Sequence, residues 1–162
     1  MRKWLSLLLA ALTVAACSSI ECPVQNVVAT IYTFHKADGT ADTLRYDTLT
    51  VTTRRANGSD TTLLNRSTGA TMMQLPVSYS NPTDTLIVTV SDTLQRTTVD
   101  TIYLHKEDQP HFESVDCNLA FFHHLTAVSS THLRIDTAVI VQPTVNYDLE
   151  KEHIHLYFKP RY

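Results

Sequence analysis

Histidine is the residue type whose placement in this 162-residue chain most invites chemistry. His153 and His155 stand two apart in a stretch that alternates apolar and polar residues, so on a strand both imidazoles project from one face. Such a pair can ligate zinc or copper, and His123, His124 or His132 could add a third ligand where strands meet. Against this, no cysteine or carboxylate reads as a ligand at the right spacing, and alternation by itself puts polar residues on an outer face. The expectation is no metal and no cofactor, with His153 and His155 as the residues to watch.

Other chemistries are thinner. Hydrolysis needs a nucleophile, a base and an oxyanion site in mutual reach, yet no Gly-x-Ser-x-Gly elbow occurs, so an enzyme is not expected. Asp-Thr recurs at Asp42, Asp47, Asp60, Asp84, Asp92, Asp100 and Asp136. A calcium loop would require several carboxylates within about a dozen residues around a glycine, which none of these supplies. The pair reads instead as an aspartate that satisfies turn amides and a threonine that enters a strand. Phe121-Phe122-His123-His124-Leu125 could form an aromatic docking patch. The simpler expectation is a strand with Phe121 inside, beside Leu119 and Leu125, and Phe122 partly covered.

Covalent chemistry is legible at the start of the chain. Arg2 and Lys3 precede an apolar stretch, Trp4 to Ala16, broken only by Ser6 and Thr13. That stretch is too short to cross a bilayer, which takes about 20 helical residues, and it reads as a signal peptide. Its end, Val14-Ala15-Ala16-Cys17, resembles the lipobox of bacterial lipoproteins. The resemblance implies that the Cys17 thiol receives diacylglycerol and that the leader is cut before it, with two or more acyl chains anchoring the product to a membrane. The chain then divides into a leader (1–16), a lipidated tether (17–23) and one β domain (24–162). Losing Arg2 and Lys3 leaves 11 basic residues against 16 acidic ones, a formal charge of −5, which makes the domain a poor candidate for binding nucleic acid or anionic lipid, and neither is expected.

With Cys17 committed to lipid, two cysteines remain. Outside the cytoplasm this favours a Cys22–Cys117 disulfide, the alternative being two buried free thiols.

The elements that must position these residues are strands. Three glycines against 24 threonines, with little helical spacing, is the composition of a β protein. Turn signals at Asp38-Gly39, Asn57-Gly58, Asn81-Pro82, Gln109-Pro110 and Gln142-Pro143 divide it. Strands are expected near 24–35, 43–55, 60–65, 70–79, 84–92, 96–106, 111–122, 132–142 and 152–159. Ile154, Leu156 and Phe158 should face the core, as should Leu133, Ile135, Val139 and Val141. Nine short strands of unequal length predict an antiparallel immunoglobulin-like β-sandwich, with a lipocalin-like up-and-down barrel as the alternative.

Val115-Asp116-Cys117-Asn118, His132-Leu133-Arg134-Ile135-Asp136, Asn146-Tyr147-Asp148 and Glu152-His153-Ile154-His155-Leu156-Tyr157-Phe158 together resemble an uncharacterised family of Bacteroidetes envelope lipoproteins, of the domain of unknown function 6452 type. The resemblance implies an envelope location, an early cysteine paired with a late one, and no activity. Ser18, Ser19 and Ile20 separate Cys17 from the lone Glu21, so the acidic surface-export pattern of such bacteria is weak. The outer membrane facing the periplasm is the expected address, with surface exposure as the alternative. The expected role is non-catalytic, binding an envelope protein partner, or alternatively a small apolar ligand or glycan.

Overall fold

The computed structural model describes residues 28–55, 57–115 and 117–160. Ten strands carry the fold: β1 (Ala29–Lys36), β2 (Leu44–Arg54), β3 (Asp60–Ala70), β4 (Met72–Pro76), β5 (Thr83–Ser91), β6 (Thr97–His111), β7 (Ala120–Ser130), β8 (Ile135–Ile140), β9 (Thr144–Val145) and β10 (Ile154–Phe158). No helix occurs among the described residues. The strands form a four-stranded sheet, β4-β1-β10-β8, and a six-stranded sheet, β3-β2-β5-β6-β7-β9. Neither strand order closes on itself, so the fold is a two-layer β-sandwich and the closed barrel is set aside.

Period-two alternation explains how each strand meets the core. In β5 every second residue is buried, with Asp84, Leu86, Val88 and Val90 inside and Thr83, Thr85, Ile87 and Thr89 facing out. Ile154, Leu156 and Phe158 of β10 are buried as expected. They join Tyr32 and Phe34 of β1, Leu49 and Val51 of β2, and Ile102 and Leu104 of β6 in one continuous core between the sheets. Phe34 meets Phe158 edge to face, with ring centroids 5.2 Å apart.

Three features depart from the expectations. First, β1 and β10 pair in parallel, Tyr32 opposite Ile154 and Lys36 opposite Phe158, where a wholly antiparallel sandwich would have no such pair. Second, Gln109-Pro110 does not end a strand. β6 runs on to His111, and of the expected strand at 111–122 only His111, at the end of β6, and Ala120 to Phe122, at the start of β7, are strand among the described residues. Proline is tolerated there because β5 stops at Thr83 opposite His105, so Pro110 has a neighbour on one side only, Phe121 of β7.

Third, the inward face of β8 changes partway. Phe158 pairs with Ile135 and Tyr157 with Thr137, leaving Asp136 as an extra residue. This bulge reverses the alternation. Ile135 is buried, but beyond the bulge Ala138 and Ile140 pack on the core while Val139 and Val141 are exposed, as is Leu133. The expectation that all four apolar residues of this stretch face inward is corrected to Ile135 alone. Phe121 and Phe122 are both half-buried, Phe121 stacked on Tyr79 and Phe122 on His111, and Leu119 is exposed rather than inside.

Candidate functional site

His153 and His155, adjacent by alternation, have different fates. His153 is fully buried, because its backbone is clamped on both sides: its N–H donates to the Ile31 carbonyl (2.9 Å) and its carbonyl accepts from Val141. Its Nδ1 accepts the Ile31 N–H at 3.1 Å, so it serves as a backbone surrogate at the entry to β10 and not as a surface ligand. Nδ1 being an acceptor, the neutral ring carries its hydrogen on Nε2, which lies buried without a partner in hydrogen-bond geometry. Burial pushes the His153 pKa down, against the backbone at Thr144 and the Asp148 charge, which favour the imidazolium.

A pH dependence follows. A base whose folded pKa lies below its ordinary value gives full stability above about 6.5 and loses it as pH falls from there through the folded value. The urea midpoint should therefore drop on going from pH 7.5 to 5.5. His153→Asn, which retains an acceptor for Ile31, should be less stable at pH 7.5 but show a flatter dependence. Equal slopes for the two proteins would show that His153 does not titrate in this range.

His155 projects from the outer face of the four-stranded sheet and gathers partners that the sequence did not suggest. Parallel pairing puts Thr33 opposite His155 and His35 opposite Tyr157. The rings of His35 and His155 stack, centroids 4.1 Å apart and planes 28° apart. Glu152, which precedes the clamped His153, reaches back so that its Oε2 accepts from His155 Nε2 at 2.8 Å and from the Thr33 hydroxyl at 3.1 Å. Burial would raise the Glu152 pKa, but the hydrogen bonds from His155 and Thr33 and the nearby imidazole charges outweigh it and hold the carboxyl below its usual range. One ligand atom each of His35, Glu152 and His155 lies within 4.8 Å of the others. A carboxylate does stand at ligand spacing, contrary to the expectation. The other histidines do not join: His123 bonds to Asp108 in the six-stranded sheet, and His132 bonds to the Asp136 backbone in the loop before β8.

Two further polar clusters lie inside the sandwich. Lys106, with its side chain wholly buried, donates to the Asn81 carbonyl (2.8 Å) and to Asp108 Oδ1 (2.7 Å), which also bonds His123 Nδ1 at 2.6 Å. At the opposite end of β6, Asp100 receives four donors: the Thr131 hydroxyl and the N–H groups of Leu133, Arg134 and Ile135, at 2.6–2.9 Å. Beside it Arg134 pairs with buried Asp47 at 3.6 Å and donates to the Lys159 carbonyl. Asp47, Asp92, Arg96 and Arg134 line a cleft of about 380 Å³ at the rim of the sandwich, charged with both signs.

Residues 48–158, from β2 through β10, match the model of a family described as a family of unknown function, DUF6452. The chain belongs to this family. No curated protein and no solved structure matches it.

In this DUF6452 chain the recurrent Asp-Thr pair has two uses. Asp42 and Asp92 do satisfy local turn amides, Asp42 that of Thr43 and Asp92 those of Leu94 and Arg96. Asp47, Asp84 and Asp100 instead point into the sandwich on the central strands of the large sheet. Their signal was present, since Asp47 shares parity with Leu49 and Val51, Asp84 with Leu86 and Val88, and Asp100 with Ile102 and Leu104. Cys17 and Cys22, on which the expected lipidation and the expected Cys22–Cys117 bridge depend, lie outside the described residues. Cys117, in the loop before β7, is not a free thiol.

Proposed function

We propose that this chain is a lipid-anchored, non-catalytic binding domain of the bacterial cell envelope, tethered through Cys17 and braced by a Cys22–Cys117 bridge, facing the periplasm from the outer membrane. The sequence Val14-Ala15-Ala16-Cys17 behind an apolar leader carries the address. For the role, the supporting observation is the edge of the four-stranded sheet. β8 is an edge strand whose outer side carries exposed Val139, with exposed Leu133 and Val141 flanking it. β7 approaches the far side of β8 and the Asp136 carbonyl is taken by His132, so the grip offered to a protein partner is that of the exposed apolar side chains. The alternative, a module for a small apolar ligand or glycan, has less support, because side chains of both sheets occupy the space between them and the cleft at the rim is a charged one.

Membrane fractionation with mass measurement of the N-terminal peptide tests the address. Acyl mass on Cys17 and release of Cys17→Ser into the soluble fraction are expected, whereas a native protein that keeps residues 1–16 would sink the anchor. A photo-crosslinking residue at Val139 should capture one protein in living cells and a residue at exposed Thr126 should not; equal capture from both would reject the β8 edge.

A further inference from the structure

We propose that the outer face of the four-stranded sheet binds one divalent transition-metal ion of the zinc or copper class, through His35 Nε2, His155 Nε2 and the Glu152 carboxylate. The argument rests on where the hydrogens must be. A carbonyl only accepts, so the 3.2 Å contact between His35 Nδ1 and the Gly39 oxygen requires the hydrogen on Nδ1. A carboxylate also only accepts, so Thr33 spends its single hydroxyl hydrogen on Glu152. His35 Nε2 nevertheless faces the same hydroxyl oxygen at 3.1 Å. Neutral His35 would set a nitrogen lone pair against an oxygen lone pair there. A proton or a metal ion at His35 Nε2 would relieve that contact, and a metal held by His155 Nε2 would take the place of the hydrogen that His155 now gives to Glu152.

The surroundings favour the metal. His35 is held in the tautomer a ligand needs, Nδ1–H on a backbone carbonyl and Nε2 turned to the site, which is the outer-shell arrangement that orients ligating imidazoles. His155 rides on β10 between β1 and β8, and His35 on β1 is paired with Tyr157 on one side and bridged to Ala41 on the other, so the backbone under both is held on two sides. The His153 clamp on Ile31 fixes the chain between Glu152 and His155. Two imidazoles and a carboxylate are a ligand set suited to zinc and copper, leaving a coordination position open to solvent. Around a tetrahedral ion with 2.0–2.1 Å bonds the donors stand roughly 3.3 Å apart, so the pair His155 Nε2–Glu152 Oε2 opens from 2.8 Å, the wider separations of up to 4.8 Å close, and the stacked rings have to turn. Both are part-exposed, which leaves room for that turn.

Untagged, metal-stripped protein beginning at residue 17, with Cys17→Ser to keep it soluble, would be titrated with Zn²⁺ and separately Cu²⁺ at about pH 7.5. One ion per chain is expected, with affinity falling as pH drops and the imidazoles take protons. His35→Ala and His155→Ala should each weaken binding more than about tenfold and Glu152→Gln by a similar factor, while His111→Ala and His132→Ala change nothing. In the unsubstituted chain Cu²⁺ should broaden the ring-proton signals of His35 and His155 first, so the result does not depend on whether a variant folds. Absence of one-to-one binding, binding that survives His35→Ala and His155→Ala, or broadening that begins at other histidines would each overturn the site.

Discussion

Asp100→Ala should lower the stability of the sandwich by about 4 kcal/mol, because it leaves four buried donors without their acceptor. The side chain is almost wholly buried, and its two oxygens hold the Thr131 hydroxyl and three successive backbone amides, those of Leu133, Arg134 and Ile135. Alanine leaves these donors turned toward a buried gap. It also frees the turn that delivers Arg134 to Asp47 and starts β8, so the four-stranded sheet loses the anchor of its edge. Burial alone would raise the Asp100 pKa, but the amide and hydroxyl bonds together outweigh it and hold the carboxyl below the usual carboxylate range. A carboxyl depressed in this way contributes stability in full above about pH 4, and the contribution is lost as pH falls through the folded-state value. Thermal melts of the two proteins should differ by roughly 10 °C at neutral pH and converge in acid. A difference within 2 °C at neutral pH would mean that the turn holds without its carboxylate.

Lys106→Met should cost about 3–5 kcal/mol, for an electrostatic reason. Lys106 is the cation of a cluster in which Asp84 and Asp108 would otherwise face one another, with no lysine or arginine bonded to either among the described residues. Burial raises the Asp84 pKa and the Asp108 charge adds to that, with the Ser78 amide and Lys106 opposing. Asp108 stays ionised because the bonds and charges of Lys106 and His123 outweigh its own burial. Methionine fills the volume but leaves carboxylates to share a low-dielectric site. The urea midpoint should fall without a change in slope. His123 reports independently: burial and the Lys106 charge both push its pKa down, with Asp108 opposing, so removing Lys106 should raise it in an NMR titration. A double variant, Lys106→Met with Asp108→Asn, should recover part of the lost stability, and failure to do so would mean that the loss comes from packing.

Much of this was legible in the residues. In the β5 run Asp84 to Val90 burial falls on every second residue, with only Asp84 and Ile87 standing against the apolar-in, polar-out rule. The same parity places Asp47, Asp84 and Asp100 inside, a signal that is easily missed because Asp-Thr is also what a turn followed by a strand looks like. At Asp42 and Asp92 the local use is the real one. A dipeptide cannot separate the two uses, whereas the face it shares with its strand can.

What the sequence by itself determined is the all-β class and the face that most strand residues present. Only the tertiary structure decided which strands are neighbours, because alternation defines a face without defining what lies across from it. Thr33 and Glu152, 119 residues apart, meet because the first and last long strands pair in parallel. That pairing turned His155 toward His35 and left His153 to be clamped inside. The single extra residue at Asp136 likewise reversed the faces of Ala138 to Val141, and a bulge of that kind is set by what the partner strand demands and not by the residues it displaces.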